Sequence, residues 1–251
     1  MIVSGIPLLF GRGGPLKKAI FGYGYTSANL SITNLVSDTG VVSADVTGVG
    51  TARQNPAAAS YGTDKAIFGY GKVTSQVSMT NLVSNTGVVS ADVTGVGTAR
   101  YALAAASYGT DKAIFGYGYT SGPVSITNLV SNTGVVSANV TGVGTARYAL
   151  AAAGYDTDKA IFGYGYTSAN VSMTNKVSNT GVVSADVTGV GTARYYPTAA
   201  GYGTDKAIFG YGYAASPVSI TNLVSNTGVV SANVTGVGTA RSALAATSYG
   251  G

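Results

Sequence analysis

Lys18-Ala19-Ile20-Phe21-Gly22-Tyr23-Gly24 is the stretch that decides the fold, because the same seven residues return at Lys65, Lys112, Lys159 and Lys206. The spacing is 47 residues each time, without an insertion or deletion. A fixed period of this size is typical of repeat proteins, in which each unit buries its apolar face against its neighbours. The sequence therefore predicts five equal units over residues 18–251, beginning at 18, 65, 112, 159 and 206, after a non-repeat tail at 1–17.

The composition favours an all-β protein. The 251 residues include 37 Gly and 18 Tyr, many Val and Thr, and no Glu. β-branched and aromatic residues suit strands, whereas the strong helix formers Glu and Gln are nearly missing. Only 9% of the residues are charged, against about 25% in typical domains, so Ser, Thr, Asn and Tyr must make the surface polar.

Charge and residue types exclude several classes of function. The net charge of +5 comes from 14 basic and 9 acidic residues that form no basic tract, so we expect no nucleic-acid partner. Without His, Cys or Glu, the usual catalytic triads and zinc sites are absent. We therefore expect no enzyme, no metal and no cofactor. The apolar run within residues 1–10 is too short to span a bilayer, and we expect no membrane partner.

Each unit is expected to form four short strands. In the second unit these strands are predicted at 65–70, 77–83, 88–93 and 100–108. Ser84-Asn85-Thr86-Gly87 is a predicted hairpin turn, because Gly readily adopts the positive φ that such turns require. Four strands in a unit of this length are typical of a propeller blade.

The order of these cues resembles a kelch-type repeat. Arg100 and Ala104-Ala105 are followed by a turn and then by Ala113-Ile114-Phe115-Gly116-Tyr117-Gly118. The pattern departs from kelch in having Gly-Tyr-Gly for the Gly pair and no Trp in the last strand. The resemblance implies an all-β, five-bladed β-propeller with four antiparallel strands per blade.

The ends of the chain suggest how such a ring would close. The segment 241–249 has no unit after it, and the strand at 18–23 has no Arg-led strand before it. Pairing these two segments would complete the ring and remove exposed strand edges, so we expect a monomer. The alternative is a β-solenoid, which needs no such closure. Strand alternation places a glycine-bearing face on each blade, and one aromatic from each unit is predicted to plug that face of the neighbouring blade: Phe21, Phe68, Phe115, Phe162 and Phe209.

The repeated arginines admit two interpretations. Five guanidinium groups around one axis could grip an anion, or each could hydrogen-bond the Gly-rich link or an Asp45-type residue. The set is Arg53, Arg100, Arg147, Arg194 and Arg241. The preceding Gly48-Val49-Gly50-Thr51 lacks the third glycine or the Gly-Lys-Ser/Thr of a phosphate loop, and we interpret it as a link between units.

Sequence variation gathers in two segments of each unit, one after Gly-Tyr-Gly and one after the arginine. Strand counting places both on one rim, where loops on a rigid scaffold usually bind. The candidate ligand-binding residues are Tyr25, Tyr119, Tyr166, Tyr213, Tyr101, Tyr148 and Tyr195. The sequence predicts a non-enzymatic binding or structural module, with glycans or a protein as partner at this rim. The alternatives are a duplicated or engineered symmetric scaffold without a ligand, and a structural component of a phage or appendage.

Overall fold

The computed structural model describes residues 18–248, and strands are the only regular elements in that range. Those residues contain no helix long and apolar enough to cross a membrane. The predicted tail at 1–17 and the end of the predicted closing segment at Tyr249 lie outside the described residues. The strands are β1 (Ala19–Tyr25), β2 (Asn29–Val36), β3 (Ala57–Tyr61), β4 (Lys65–Gly69), β5 (Thr80–Val83), β6 (Ala104–Tyr108), β7 (Lys112–Gly116), β8 (Thr127–Val130), β9 (Ala151–Tyr155), β10 (Lys159–Gly163), β11 (Thr174–Val177), β12 (Thr198–Tyr202), β13 (Lys206–Gly210) and β14 (Thr221–Val224).

The strands form a small antiparallel sheet in each repeat, which confirms the all-β repeat architecture. The sheets are β3-β4-β5, β6-β7-β8, β9-β10-β11 and β12-β13-β14, and β1 pairs with β2 alone. The strand with the Lys-Ala-Ile-Phe-Gly sequence lies in the middle of each three-stranded sheet. The Ala-rich strands of consecutive repeats lie side by side, since small side chains allow a close approach.

The prediction of four strands per unit is wrong, because the predicted strand at 88–93 is reduced to isolated bridges. Val83 bridges Val89, but Thr80 bridges Val93, so the register shifts by one residue between the two bridges. At this bulge the Leu82 amide donates to the Ser90 hydroxyl at 2.9 Å. The Ser90 hydroxyl oxygen thus accepts a hydrogen bond that a backbone carbonyl would accept in a regular ladder. The predicted hairpin turn before it is confirmed, with the Gly87 amide donating to the Ser84 carbonyl at 2.9 Å.

The predicted closure of the ring is also wrong. Among residues 18–248, β1 pairs only with β2, and residues 241–248 form no strand. The Ala243 amide donates to the Tyr196 carbonyl at 3.2 Å, and the Ser248 hydroxyl donates to the Gly201 carbonyl at 2.8 Å. Both bonds span 47 residues, as the bonds between internal repeats do. The last described segment therefore continues the array on the repeat before it, and residues 18–248 form no closed ring.

The hydrophobic core lies between consecutive repeats. Ile67 and Tyr70 of one repeat are fully buried in a cluster with Phe115 and Val130 of the next. Four of the five predicted aromatic plugs take this position, and the ring tips of Phe68, Phe115, Phe162 and Phe209 lie against Gly22, Gly69, Gly116 and Gly163 of the preceding repeat. The exception is Phe21 in the first repeat, which is 50% exposed.

A sharp bend ends each central strand. Tyr117 has φ 63° and the following Gly118 has φ 111°. Positive φ is unusual for an aromatic residue, and the Tyr117 hydroxyl donates to the Val143 carbonyl at 3.2 Å. The same left-handed Tyr-Gly pair occurs at Tyr23, Tyr70, Tyr164 and Tyr211. In the three-stranded sheets the bend turns the chain out of the sheet and into the first variable segment. In the first repeat it forms a bulge within β1, which continues to Tyr25.

Candidate functional site

The two variable segments of neighbouring repeats meet, as the predicted common rim requires. Tyr101 follows an arginine, Tyr119 follows the next Gly-Tyr-Gly, and their backbones form a bridge with bonds of 3.2 and 2.9 Å. Tyr148 with Tyr166 and Tyr195 with Tyr213 form equivalent bridges. We call the side chains of these six residues the tyrosine strip: Tyr101, Tyr119, Tyr148, Tyr166, Tyr195 and Tyr213.

The six rings of the tyrosine strip form one continuous series across three repeat junctions. Within each bridged pair the ring centroids lie 5.4 to 5.7 Å apart. Between one pair and the next the distances are 5.0 Å for Tyr119 to Tyr148 and 5.6 Å for Tyr166 to Tyr195. The rings meet mainly edge to face, the arrangement that the aromatic quadrupole favours. All six side chains are half-buried, so each keeps a part of its surface open to solvent.

The strip does not include every predicted tyrosine. Tyr25 is 60% exposed and stands on the first repeat, which has no described repeat before it. The junction between the first and second repeats carries Gln54 and Lys72 in place of two tyrosines, and their backbones form the equivalent bridge. The Lys72 ammonium lies 5.4 Å from the Tyr101 ring centroid, which places one positive charge at the start of the strip.

A strained backbone position holds each pair of rings in place. Ala102, next to Tyr101, has φ 51°, and Ala149 next to Tyr148 has φ 52°. The Ala149 amide donates to the Ala102 carbonyl at 2.8 Å, which joins equivalent turns of two repeats. Because rigid turns position the rings, the strip is ordered before any ligand arrives.

Sequence reasoning missed a second rim feature. The Gln76 side-chain amide donates to the Thr120 carbonyl of the next repeat at 2.8 Å, and Asn170 donates likewise to Ala214 at 3.0 Å. Pro123 and Pro217 occupy the same position in two other repeats and have no side-chain donor. The signal was present in the alternation of amide and proline at 29, 76, 123, 170 and 217.

The arginines lie beneath the rim and form hydrogen bonds that join consecutive repeats. The Arg147 guanidinium carbon lies 4.2 Å from the Tyr117 ring centroid. Its Nη2 donates to Asn175 Oδ1 of the next repeat at 2.6 Å, and its Nε donates to the Tyr164 carbonyl at 2.9 Å. Four of the arginines have no exposed surface: Arg53, Arg100, Arg147 and Arg194. Their guanidinium groups therefore face protein on all sides, which is the structural interpretation; only Arg241 is exposed.

The Gly-rich link completes each junction. The Thr51 amide and hydroxyl both donate to Asp92 of the next repeat, at 3.0 and 2.6 Å to Oδ2. At the next junction Asn139 replaces the carboxylate, and its amide donates to the Thr98 hydroxyl at 2.8 Å. A Cβ on Gly97 would lie 2.5 Å from Asn139 Oδ1. The link is thus closely packed protein and not an open loop for a phosphate.

Burial and hydrogen bonding together shift the pKa values at these junctions. Burial raises the pKa of Tyr117 to about 12, and the nearby Arg147 charge opposes that shift only in part. Burial also lowers the pKa of the Arg147 guanidinium, against the opposing effects of Tyr117 and Asp186. For Asp92, burial alone would raise the carboxyl pKa, but hydrogen bonds from Thr51 and Asn81 outweigh it and hold that pKa below its ordinary value.

The other surface features of the described residues offer little chemistry. No group of three or more His, Cys, Asp or Glu side chains is placed to hold a metal ion within residues 18–248. Two hollows of about 540 and 580 Å³ occupy equivalent positions beside Lys159 and Lys65. Both are lined by Val, Ser and Tyr side chains. The first also contains Asp156, Lys159 and Lys176, with the Lys159 ammonium paired to the Asp156 carboxylate at 2.6 Å, whereas Lys65 is the one charged residue of the second.

Known proteins add no function to this geometry. A comparison with protein-family models finds no match, and a comparison with curated protein sequences finds none either. Over residues 18–248 the structure shows an array of all-β repeats with a 47-residue period that does not close into a ring.

Proposed function

We propose that the protein is a non-enzymatic repeat module that binds an extended carbohydrate chain along the tyrosine strip. The observation that carries this proposal is the unbroken series of six half-buried rings, with centroid distances of 5.0 to 5.7 Å. A tyrosine offers a large, rigid contact surface with a polar tip at low cost in conformational entropy. The apolar C–H face of a sugar ring suits such a surface, and its hydroxyls suit the polar tips.

The repetition of the strip favours a polymer over a single sugar. Equivalent weak sites on one rigid array add through their effective concentration, so longer chains bind more tightly than short ones. The variable segments that carry the strip contain no charged residue apart from Lys72, whose ammonium contacts a strip ring. This surface suits a neutral or weakly acidic glycan. A distant relation to kelch-type repeats is part of the proposal, supported by the Arg-led strand and the Gly-Tyr-Gly segment.

The experiment is calorimetric titration with neutral and acidic oligosaccharides of increasing length, after a glycan array has selected the class. Tyr166→Ala removes a ring from the middle of the strip and should weaken binding by up to about tenfold. Tyr25→Ala is the matched control, because Tyr25 is exposed and outside the strip. Equal effects of the two substitutions, or affinity that does not grow with oligosaccharide length, would contradict the proposal. No binding in any arm would favour the ligand-free scaffold.

A further inference from the structure

The two ends of the array carry complementary halves of the junction that joins its repeats. The N-terminal face consists of Phe21, Asn34 and Asp45 in the first repeat. The C-terminal face consists of Gly210, Tyr211, Thr239 and Arg241 in the last repeat. At internal junctions the equivalents of these two sets are in direct contact.

The internal junctions show how the two faces would fit. Phe162 lies at the position of Gly116 with its ring 5.2 Å from Tyr117, centroid to centroid. Arg100 donates to Asn128 of the next repeat at 2.7 Å. Four junctions of this kind occur within residues 18–248, with Phe–Tyr centroid distances of 5.2 Å in all of them. The contact is therefore one that this sequence makes repeatedly.

The N-terminal face carries the aromatic plug Phe21, but no glycine among the described residues forms the socket that would receive its ring, as Gly116 receives Phe162. Phe21 is 50% exposed, whereas Phe115, Phe162 and Phe209 are fully buried. Phe21 pairs with Asn34 across the β1-β2 sheet, as Phe68 pairs with Asn81. Asn81 accepts a bond from Arg53 at 2.7 Å, and Asn34 has no such arginine before it in the described chain.

The C-terminal face has the socket without the plug. A Cβ on Gly210 would meet only Thr221 of its own repeat, at 3.3 Å, whereas a Cβ on Gly163 would lie 2.6 Å from the Phe209 ring. Arg241 already stacks on Tyr211 at 4.3 Å and donates to the Thr239 carbonyl at 3.1 Å. These are the contacts of a buried junction arginine, yet Arg241 is exposed.

The charges of the two faces also match. In two internal junctions the arginine lies 3.8 to 3.9 Å from a carboxylate of the next repeat, Asp92 or Asp186. The equivalent residue on the N-terminal face is Asp45, which is exposed and already hydrogen-bonded to Asn34 at 2.8 Å. Arg241 therefore has both an amide and a carboxylate partner on the opposite face.

We propose that chains associate head to tail, with the C-terminal face of one copy receiving Phe21 of a second copy. The new junction repeats the internal ones and places Arg241 of one copy against Asn34 and Asp45 of the next. Such a contact joins two different surfaces, so it extends into filaments unless the geometry closes a ring of chains. Repeat arrays stay monomeric when their terminal units carry polar caps, and Phe21 and Gly210 are not such a cap. The expected monomer rested on ring closure, which the structure contradicts.

The experiment is sedimentation velocity on the full chain at concentrations from micromolar to millimolar, with electron microscopy of the largest species. Wild type should show a series of head-to-tail oligomers that grows with concentration. Phe21→Asp removes the plug and Gly210→Ala obstructs the socket, and each should weaken association by about a hundredfold or more. Circular dichroism should show both variants folded, because both positions are open in the single chain.

Mixing the two variants provides the decisive arm. The Phe21→Asp chain keeps an intact C-terminal face and the Gly210→Ala chain keeps an intact N-terminal face, so together they form a dimer that cannot grow. A dimer that appears only in the mixture supports the proposal. Wild type that stays monomeric at every concentration overturns the proposal, whatever covers the two faces in the monomer. Oligomers unaffected by either substitution overturn it as well.

Discussion

Phe162 occupies the space that a side chain on Gly116 would need, since a Cβ there would lie 2.6 Å from the tip of the Phe162 ring. The two residues belong to consecutive repeats and hold the same relationship as their counterparts at the other junctions. A glycine on one surface and an aromatic on the next thus form a plug and socket that fix the register of the array.

The plug predicts a large loss of stability on truncation. Phe115→Ala should lower the free energy of unfolding by about 3–5 kcal/mol, because it opens a cavity in a fully buried cluster. Phe21→Ala is the matched control, since Phe21 is half exposed and should cost less than about 1 kcal/mol. Urea denaturation at low protein concentration measures both. Similar losses for the two variants would contradict the assignment of Phe115 as a buried plug.

The socket makes the reciprocal prediction. Gly116→Ala should destabilise by about 1–3 kcal/mol, because the new methyl group forces the Phe162 ring to move in a packed core. Gly210→Ala stands in the same strand position without a following repeat and should leave the melting temperature nearly unchanged. Thermal unfolding followed by circular dichroism compares the pair. A costly Gly210→Ala would mean that the strand itself, and not the neighbouring ring, requires glycine.

The buried arginines predict a second matched pair. Arg147→Met leaves Asn175 Oδ1 and the Tyr164 carbonyl without their donors, which should cost about 1–3 kcal/mol. Arg241→Met, at the exposed end, should cost less than about 0.5 kcal/mol. Chemical denaturation of both variants tests the difference. If Arg147→Met left the free energy of unfolding unchanged, packing on Tyr117, which the methionine retains, would account for the role of the residue.

The junctions with Asp and with Asn should respond differently to acid. The pKa of Asp92 and of Asp186 lies below its unfolded value, because hydrogen bonds outweigh the opposing effect of burial. Each carboxylate therefore contributes stability above the unfolded pKa of about 3.9, and that stability is lost as the pH falls through the lower folded value. Asp92→Asn with Asp186→Asn should flatten the acid limb of a plot of unfolding free energy against pH. An unchanged acid limb would contradict this account.

The converse substitution should stabilise the protein. Asn139→Asp places a carboxylate beside the buried Arg100, in the geometry that Asp92 shows beside Arg53 at 3.9 Å. The gain should be about 0.5–1 kcal/mol at neutral pH, since the site is partly open to solvent. The Thr98 hydroxyl then becomes the donor, as the Thr51 hydroxyl already is toward Asp92. The gain should disappear in acid, and one that persists there would have another cause.

The sequence predicted the parts of the fold that depend on neighbouring repeats. The strict period, the strand with Lys-Ala-Ile-Phe-Gly and the aromatic plug on a glycine face all follow from local pattern and alternation. The tyrosines of the rim were also placed on adjacent segments by strand counting alone. The contacts that join their rings into a single strip depend on the directions of the side chains at each junction. Counting strands gives no information on those directions.

Closure and strand number could not be predicted in the same way. Whether an array closes depends on the small rotation from one repeat to the next, and identical repeats fit an open or a closed arrangement equally well. The third predicted strand is missing for a local reason. The Leu82 amide donates its hydrogen bond to the Ser90 hydroxyl instead of a backbone carbonyl, which interrupts the ladder. The left-handed Tyr117 was not foreseen either, because propensity alone argues against positive φ at an aromatic residue.

The equivalence of the internal junctions has a consequence for how such a molecule changes over generations. In-frame recombination between the gene segments that encode these near-identical repeats can remove or add a whole unit, and the product exposes no kind of surface that its parent lacked. The number of repeats can thereby change from one generation to the next without loss of the ability to fold. Related chains should differ in length by multiples of 47 residues.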